Sequence, residues 1–149
     1  MQPSLSVILP ACNAAESLGP IVGGLLDMLP DLAGSFEIVI VDDASTDHTL
    51  EIADEWRRAY PQVRLIRHGW SWGMTAAVRT GRIEARGRHV IVVESLADFD
   101  RREIVRQWQR LTGPGDLPQV RRPESAHHET QRARGPSFLR HLRQLTGAV

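Results

Sequence analysis

No lysine occurs anywhere in the 149 residues, and all eighteen basic side chains are arginine. That absence removes a P-loop lysine, a Schiff-base lysine and a lysine general base. A single cysteine, Cys12, rules out an intramolecular disulfide and a multi-cysteine zinc site, so a reducing, cytoplasmic setting is expected. Met1-Gln2-Pro3-Ser4 lacks the basic start and apolar core of a secretory signal. No apolar run approaches the roughly eighteen residues a membrane helix needs, so no transmembrane span is expected. Gly-x-Gly-x-x-Gly and His-Glu-x-x-His are missing too, which sets aside the Rossmann fingerprint and the zincin helix.

The charges sum to zero but are unevenly placed. Residues 1–60 carry ten acids and two arginines, 61–120 six acids and ten arginines, and 121–149 two acids and six arginines. The last stretch would attract phosphate, yet aromatic side chains to read bases are scarce there, so nucleic acid is not an expected partner. His127-His128 beside Glu129 is a weak metal grouping in a polar loop.

The length suits one domain with a real core. Its centre is Ile38-Val39-Ile40-Val41, four β-branched residues without polar alternation, which suits a strand buried on both faces of a parallel sheet. The run ends in Asp42-Asp43, at the strand end where open α/β sheets bind ligands; the same pair also reads as two solvated turn residues. Ser45, Thr46 or Asp47 can cap a helix over Thr49–Tyr60, on which Leu50, Ala53 and Trp56 recur at helical spacing.

Taken in order, Leu5–Leu9 reads as the first strand, stopped by Pro10, and Leu18–Leu29 as a helix ended by Pro30, with Asp31–Ser35 as a loop. Val63–Ile66 is a third strand, Met74–Ala85 a helix closed by Gly87, His89–Val93 a fourth strand, and Arg101–Leu111 a helix with Ile104, Val105, Trp108 and Leu111 on one face. Strand and helix alternate throughout, which implies α/β architecture with a mostly parallel sheet and right-handed crossovers. From Thr112 the chain turns polar and Arg-rich, and Ser137–Leu145 reads as a short basic amphipathic helix. Residues 1–112 are expected to form the α/β body, and 113–149 an Arg-rich loop and short C-terminal helix of the same domain.

Two stretches carry a family resemblance. Ser6-Val7-Ile8-Leu9-Pro10-Ala11-Cys12-Asn13 and Ile40-Val41-Asp42-Asp43-Ala44-Ser45-Thr46-Asp47-His48-Thr49 are similar to the nucleotide-binding half of family 2 glycosyltransferases. Gly73, Ala77, Gly81, Ala85 and Gly87 follow at that family's spacing, and the whole resembles the polyprenyl- or dolichyl-phosphate branch. The resemblance implies an abbreviated GT-A three-layer α/β/α sandwich that binds a nucleotide-diphosphate sugar and, if active, transfers a hexose to a lipid phosphate or similar acceptor. It implies roles in that site for Pro10, Ala11, Asn13, Asp42, Asp43, Ser71, Gly73 and Glu94.

The departures point the other way. Cys12 stands where the family usually has Tyr, and Ser71, flanked by Trp70 and Trp72, where it usually has Asn. After the fourth strand the family carries Asp-x-Asp, which reaches the sugar nucleotide and a divalent metal, Mg or Mn. Here the residues are Glu94-Ser95-Leu96, so Glu94 is the one metal-ligand candidate and Leu96 cannot coordinate a hard cation. Asp98 and Asp100 are poorly spaced substitutes, and Arg67, Arg79 and Arg82 are candidates to neutralise a diphosphate instead. Roughly the last hundred residues of the family pattern, with the acceptor-side base, have no counterpart. A non-catalytic binding or regulatory protein is therefore the competing expectation. The missing strands would also leave the fourth strand as an apolar edge, to be covered by Leu117–Val120, by Ser137–Leu145 or by a second chain in a homodimer.

Overall fold

The computed structural model describes residues 2–113. Strands β1 (Leu5–Ala11), β2 (Phe36–Asp42), β3 (Val63–Arg67) and β4 (His89–Val92) alternate with helices α1 (Ala15–Ala33), α2 (Thr49–Ala59), α3 (Met74–Glu84) and α4 (Arg101–Thr112). All pairings are parallel, in the order β3-β2-β1-β4. The chain therefore runs outward from β1 to β3, then crosses back to β1's other side. That reversal puts the topological switch between β1 and β4, where open α/β sheets bind ligands.

The strand pleat sorts the core into two layers. Val7, Leu9, Ile38, Ile40 and Ile91 pack with α1, α2 and α4, whereas Ile8, Val39 and Val41 pack with Ala77 of α3. Every residue of β1 is buried. Fully burying each Leu, Ile or Val contributes roughly 1.5–3 kcal/mol, so this continuous core decides the fold. The α/β/α sandwich with a parallel sheet is as expected.

The glycine spacing has a steric cause. A Cβ on Gly81 would lie 2.4 Å from Ile8 Cγ2, and one on Gly87 would lie 2.5 Å from the Ser6 backbone nitrogen. The first lets α3 lie directly on β1, and the second lets the α3–β4 turn press against the start of β1. That end of the sheet is tied by Glu37, whose Oε1 accepts from Ser6 Oγ and from the Arg86 N–H, both at 2.6 Å. Arg64 reaches Glu37 Oε2 at 3.0 Å, and the Gly87 N–H donates to Ser6 Oγ at 2.8 Å.

Prolines supply the corrections. β1 runs through Pro10 to Ala11 instead of stopping at Leu9. Ile8 faces β4, accepting from the Val93 N–H at 3.0 Å, so Pro10 also faces that side, beyond the last paired residue of β4. Its missing N–H therefore breaks no ladder bond. Helix α1 begins three residues earlier than expected and passes through Pro20 and Pro30 to Ala33, absorbing most of the expected loop. Both prolines are exposed, while Leu18, Ile21, Val22, Leu25, Leu29 and Ala33 are buried on the opposite stripe. Six buried apolar contacts outweigh about 3 kcal/mol per interior proline. A Cβ on Gly23 of the same helix would lie 3.5 Å from Trp56 Cη2, in ordinary van der Waals contact. On α4, Ile104 and Trp108 are buried but Leu111 is 45% exposed, so it lies off the expected face.

β4 is an edge of the described sheet. The expected covering segments 117–120 and 137–145 lie outside the described residues, as do His127, His128 and Glu129. No helix among the described residues is long and apolar enough to cross a membrane.

Candidate functional site

The loops at the carboxyl ends of β1 and β2 are stitched to each other. Asn13, in the left-handed region at φ 50°, accepts through Oδ1 from the N–H groups of Thr46 (2.8 Å) and Asp47 (3.3 Å). Its own N–H donates to Ser45 Oγ at 3.0 Å. The Ala14 N–H donates to Thr49 Oγ1 at 2.8 Å and the Ala15 N–H to Asp47 Oδ2 at 3.3 Å. Asp47 also accepts from the Thr49 N–H at 2.9 Å and so serves the start of α2, where His48 makes no side-chain cap. Burial pushes the Asp47 carboxyl up, but the donors on Thr49 and Ala15 outweigh it and hold it below the usual range.

Asp42 and Asp43 are adjacent in sequence and separate in role. Asp42 is fully buried and turns back to Ser45, accepting its hydroxyl at 2.5 Å. Ala44 follows at φ 55°, a left-handed conformation that costs about 1–2 kcal/mol outside glycine. The Asp43 N–H holds the Ala11 carbonyl at 2.8 Å, and its side chain crosses to the loop between β3 and α3. There Oδ1 meets His68 Nδ1 (2.8 Å) and the Trp72 N–H (2.9 Å), while Oδ2 accepts from Ser71 Oγ (2.9 Å) and the Gly73 N–H (3.0 Å). Burial pushes this carboxyl up, yet His68, Trp72, Ser71 and Gly73 together hold it down at about 2. A carboxylate offers about four lone-pair directions, and all four are used. Asp43 therefore positions a loop. Gly73, at φ 95°, is the N-cap of α3, a conformation that glycine adopts without strain.

The other expected site residues divide by exposure. Pro10 and Ala11 are buried in β1, not in the loop, which leaves Cys12 and Asn13 as the exposed pair of that segment. Burial of its sulfur, then the charges of Asp43, Asp42 and Asp47, push the Cys12 thiol up, so it is a poor nucleophile. Ser71, Gly73, Glu94, Arg67, Arg79 and Arg82 are exposed. His68 and Thr80 were not expected here. His68 is 7% exposed and its Nε2 lies 2.8 Å from Thr80 Oγ1. A lone histidine after a short strand gives no local signal of this, because its partners come from β2 and α3.

Leu96 decides the metal question. It is 8% exposed and belongs to the core cluster with Ile21 and Leu25 of α1 and Ile104 of α4. It lines an apolar cleft of about 440 Å³ with Pro20, Ile21 and Phe99. Asp98 is engaged with Ser95 Oγ at 3.1 Å, and Asp100 caps α4 by accepting from the Arg102 N–H at 2.9 Å. No group of three His, Cys, Asp or Glu among the described residues could hold a metal ion. The residues present do not fit an Asp-x-Asp metal clamp, because position 96 points its side chain into the core and Glu94 is left as a single exposed carboxylate.

Comparison with known proteins adds a family. The family described as Glycosyl transferase family 2 matches residues 6–143. A dolichol-phosphate mannosyltransferase of Pyrococcus furiosus is 37% identical over 91 residues, covering 61% of this chain and 25% of that protein. A dodecaprenyl-phosphate galacturonate synthase of Rhizobium johnstonii is 31% identical over 101 residues, covering 67% of this chain and 30% of that protein. Among solved structures, the mannosyltransferase PcManGT from Pyrobaculum calidifontis, in complex with GDP-Man and Mn2+, is 26% identical with a TM-score of 0.54, covering 76% of this chain and 34% of that one. S. aureus TarS gives the same identity and TM-score, covering 70% and 30%. The chain thus spans about a third or less of the proteins it matches, and over that span shares their GT-A fold. With the sheet order, the stitched loops and a match over nearly its whole length, the chain belongs to glycosyl transferase family 2.

Proposed function

We propose that this domain binds a nucleotide-diphosphate sugar at the carboxyl edge of its sheet. The observation that carries the reading is the hydrogen-bonded lattice there: Asn13 ties the loop after β1 to the loop after β2, and Asp43 ties β2 to the loop before α3. A crevice held this rigidly loses little entropy when a ligand enters. In this reading Asn13, Ser71, Gly73 and Glu94 face the ligand, whereas Pro10, Ala11, Asp42 and Asp43 hold the loops that present them. The PcManGT complex with GDP-Man and a TarS complex with UDP support the ligand class. The names of the Pyrococcus and Rhizobium relatives support transfer of a hexose to a lipid phosphate or similar acceptor.

The test is a melting and calorimetry panel of uridine, guanosine and thymidine diphosphates, with and without Mn2+. A ligand at a hundred times its Kd should add about 2.7 kcal/mol, several degrees of Tm. If none of them at millimolar concentration moves the melt, the reading fails.

A second reading, binding without transfer, is favoured by the burial of Leu96 in the core. Turnover of a bound sugar nucleotide, abolished by Glu94→Ala, would exclude it. We also place a second copy of the chain against β4, the edge strand of the described sheet; a strictly monomeric mass by light scattering at high concentration would remove that arrangement.

A further inference from the structure

Three rings run outward from Asp43. His68 is buried, with one ring nitrogen 2.8 Å from Asp43 Oδ1 and the other 2.8 Å from Thr80 Oγ1. Trp72 stacks on that imidazole with centroids 5.2 Å apart and planes 27° from parallel. Trp70 continues the series 5.4 Å from Trp72 at 42°. Exposure climbs along it, from 7% at His68 to 55% at Trp72 and 68% at Trp70.

We propose that this ladder is a stacking platform for the flat ring of a nucleobase, with Trp70 supplying the outer face. The inference rests on the nucleotide reading above and names the group that sets its base affinity. Both ring separations fall inside the 4.5–7 Å range in which aromatic pairs attract. Exposed indoles on a free loop would collapse onto apolar surface, but this loop cannot yield. The N–H groups of Trp72 and Gly73 and the Ser71 hydroxyl are all spent on one buried carboxylate. The rings are therefore held out before any ligand arrives. Residue 12 of the neighbouring loop, an exposed cysteine, offers no ring to compete for the base.

The experiment titrates UDP, GDP and inorganic pyrophosphate into the full chain, reading heat and tryptophan fluorescence. Trp70→Ala should weaken UDP and GDP by about 5- to 150-fold. Trp70→Phe should recover most of that loss, pyrophosphate affinity should not change, and nucleotide should quench the wild-type emission. Trp70 is largely exposed and lies outside the strands and helices, so its removal leaves the fold in place. Equal nucleotide affinity in Trp70→Ala and wild type would overturn the platform, and so would a parallel loss of pyrophosphate binding. Sedimentation of the wild type, but not of Trp70→Ala, with phosphatidylcholine–phosphatidylglycerol vesicles, at unchanged nucleotide affinity, would assign the rings to a membrane instead. A wild type that binds neither nucleotide nor pyrophosphate would remove the nucleotide reading itself, and the platform with it.

Discussion

Replacing Asp43 by asparagine keeps the shape and removes the charge, and the consequence can be worked out. Its carboxyl is held down at about 2 against an ordinary 3.8. That gap of about 1.8, at about 1.36 kcal/mol per pH unit, makes the ionised form responsible for roughly 2.5 kcal/mol of folding stability. The asparagine amide would also turn a donor toward N–H groups that need acceptors, so a total loss of about 3 kcal/mol is expected at pH 7. In a domain of this size that is roughly 6–12 °C of Tm. The sign follows from the depressed folded value. The contribution is complete above the unfolded pKa and fades as pH falls toward 2, with about half of it gone by pH 3. Urea unfolding of wild type and Asp43→Asn should therefore show a midpoint gap, at constant m, that narrows between pH 6 and pH 3. No gap at pH 7, or one of the same size at pH 3, would refute the assignment of Asp43 as the ionised anchor of the β3–α3 loop.

Other substitutions test the packing. Gly81→Ala should cost about 1–3 kcal/mol by driving α3 off Ile8, whereas Gly24→Ala, whose Cβ would meet nothing within 4 Å, should gain up to about 1 kcal/mol; chemical denaturation ranks the two, and the reverse order would contradict the close approach of α3. Leu96→Asp should lose about 3 kcal/mol or more by placing a carboxylate in the core, and calorimetry with Mn2+ should detect no new site. Pro30→Ala should stabilise α1 by up to about 3 kcal/mol, because the ring is exposed and only the missing hydrogen bond is repaired; an unchanged melt would mean that the helix loses nothing to the proline at this position.

Much of the architecture is legible in the sequence because its signals are local. Ile38 to Val41 announces a strand covered on both faces, and alternate residues of it do enter different cores. The intervals of Gly73, Ala77, Gly81 and Gly87 are the places where α3 and its flanking turns press on β1 or bend through a left-handed angle. Prolines mislead where burial outweighs local preference, as in Pro30 within α1 and Pro10 beyond the reach of β4. The site is only half legible. Asp42 and Asp43 look alike on paper, but the partners of Asp43 lie 25 to 30 residues further on, and no pattern within one segment could separate it from a carboxylate that bonds three residues away. Leu96 reads from sequence as a lost ligand, and burial adds the reason that the position cannot simply be refilled.

The knot at the start of the sheet has a consequence for assembly. The Gly87 N–H reaches Ser6 Oγ across 81 positions of sequence, and Arg86 reaches Glu37 across 49. β1 is therefore completed on one side by β2, about 30 positions further along the chain, and on the other by β4, more than 80 positions further along. Until β4 docks, the most buried strand of the protein has one row of backbone groups unpaired. Contacts of such long range slow folding, and an open edge invites pairing between chains in the meantime. Conditions that delay the closing of Ser6, Glu37 and Gly87 should therefore reduce the yield of folded chains by a kinetic route, even where the finished domain is no less stable.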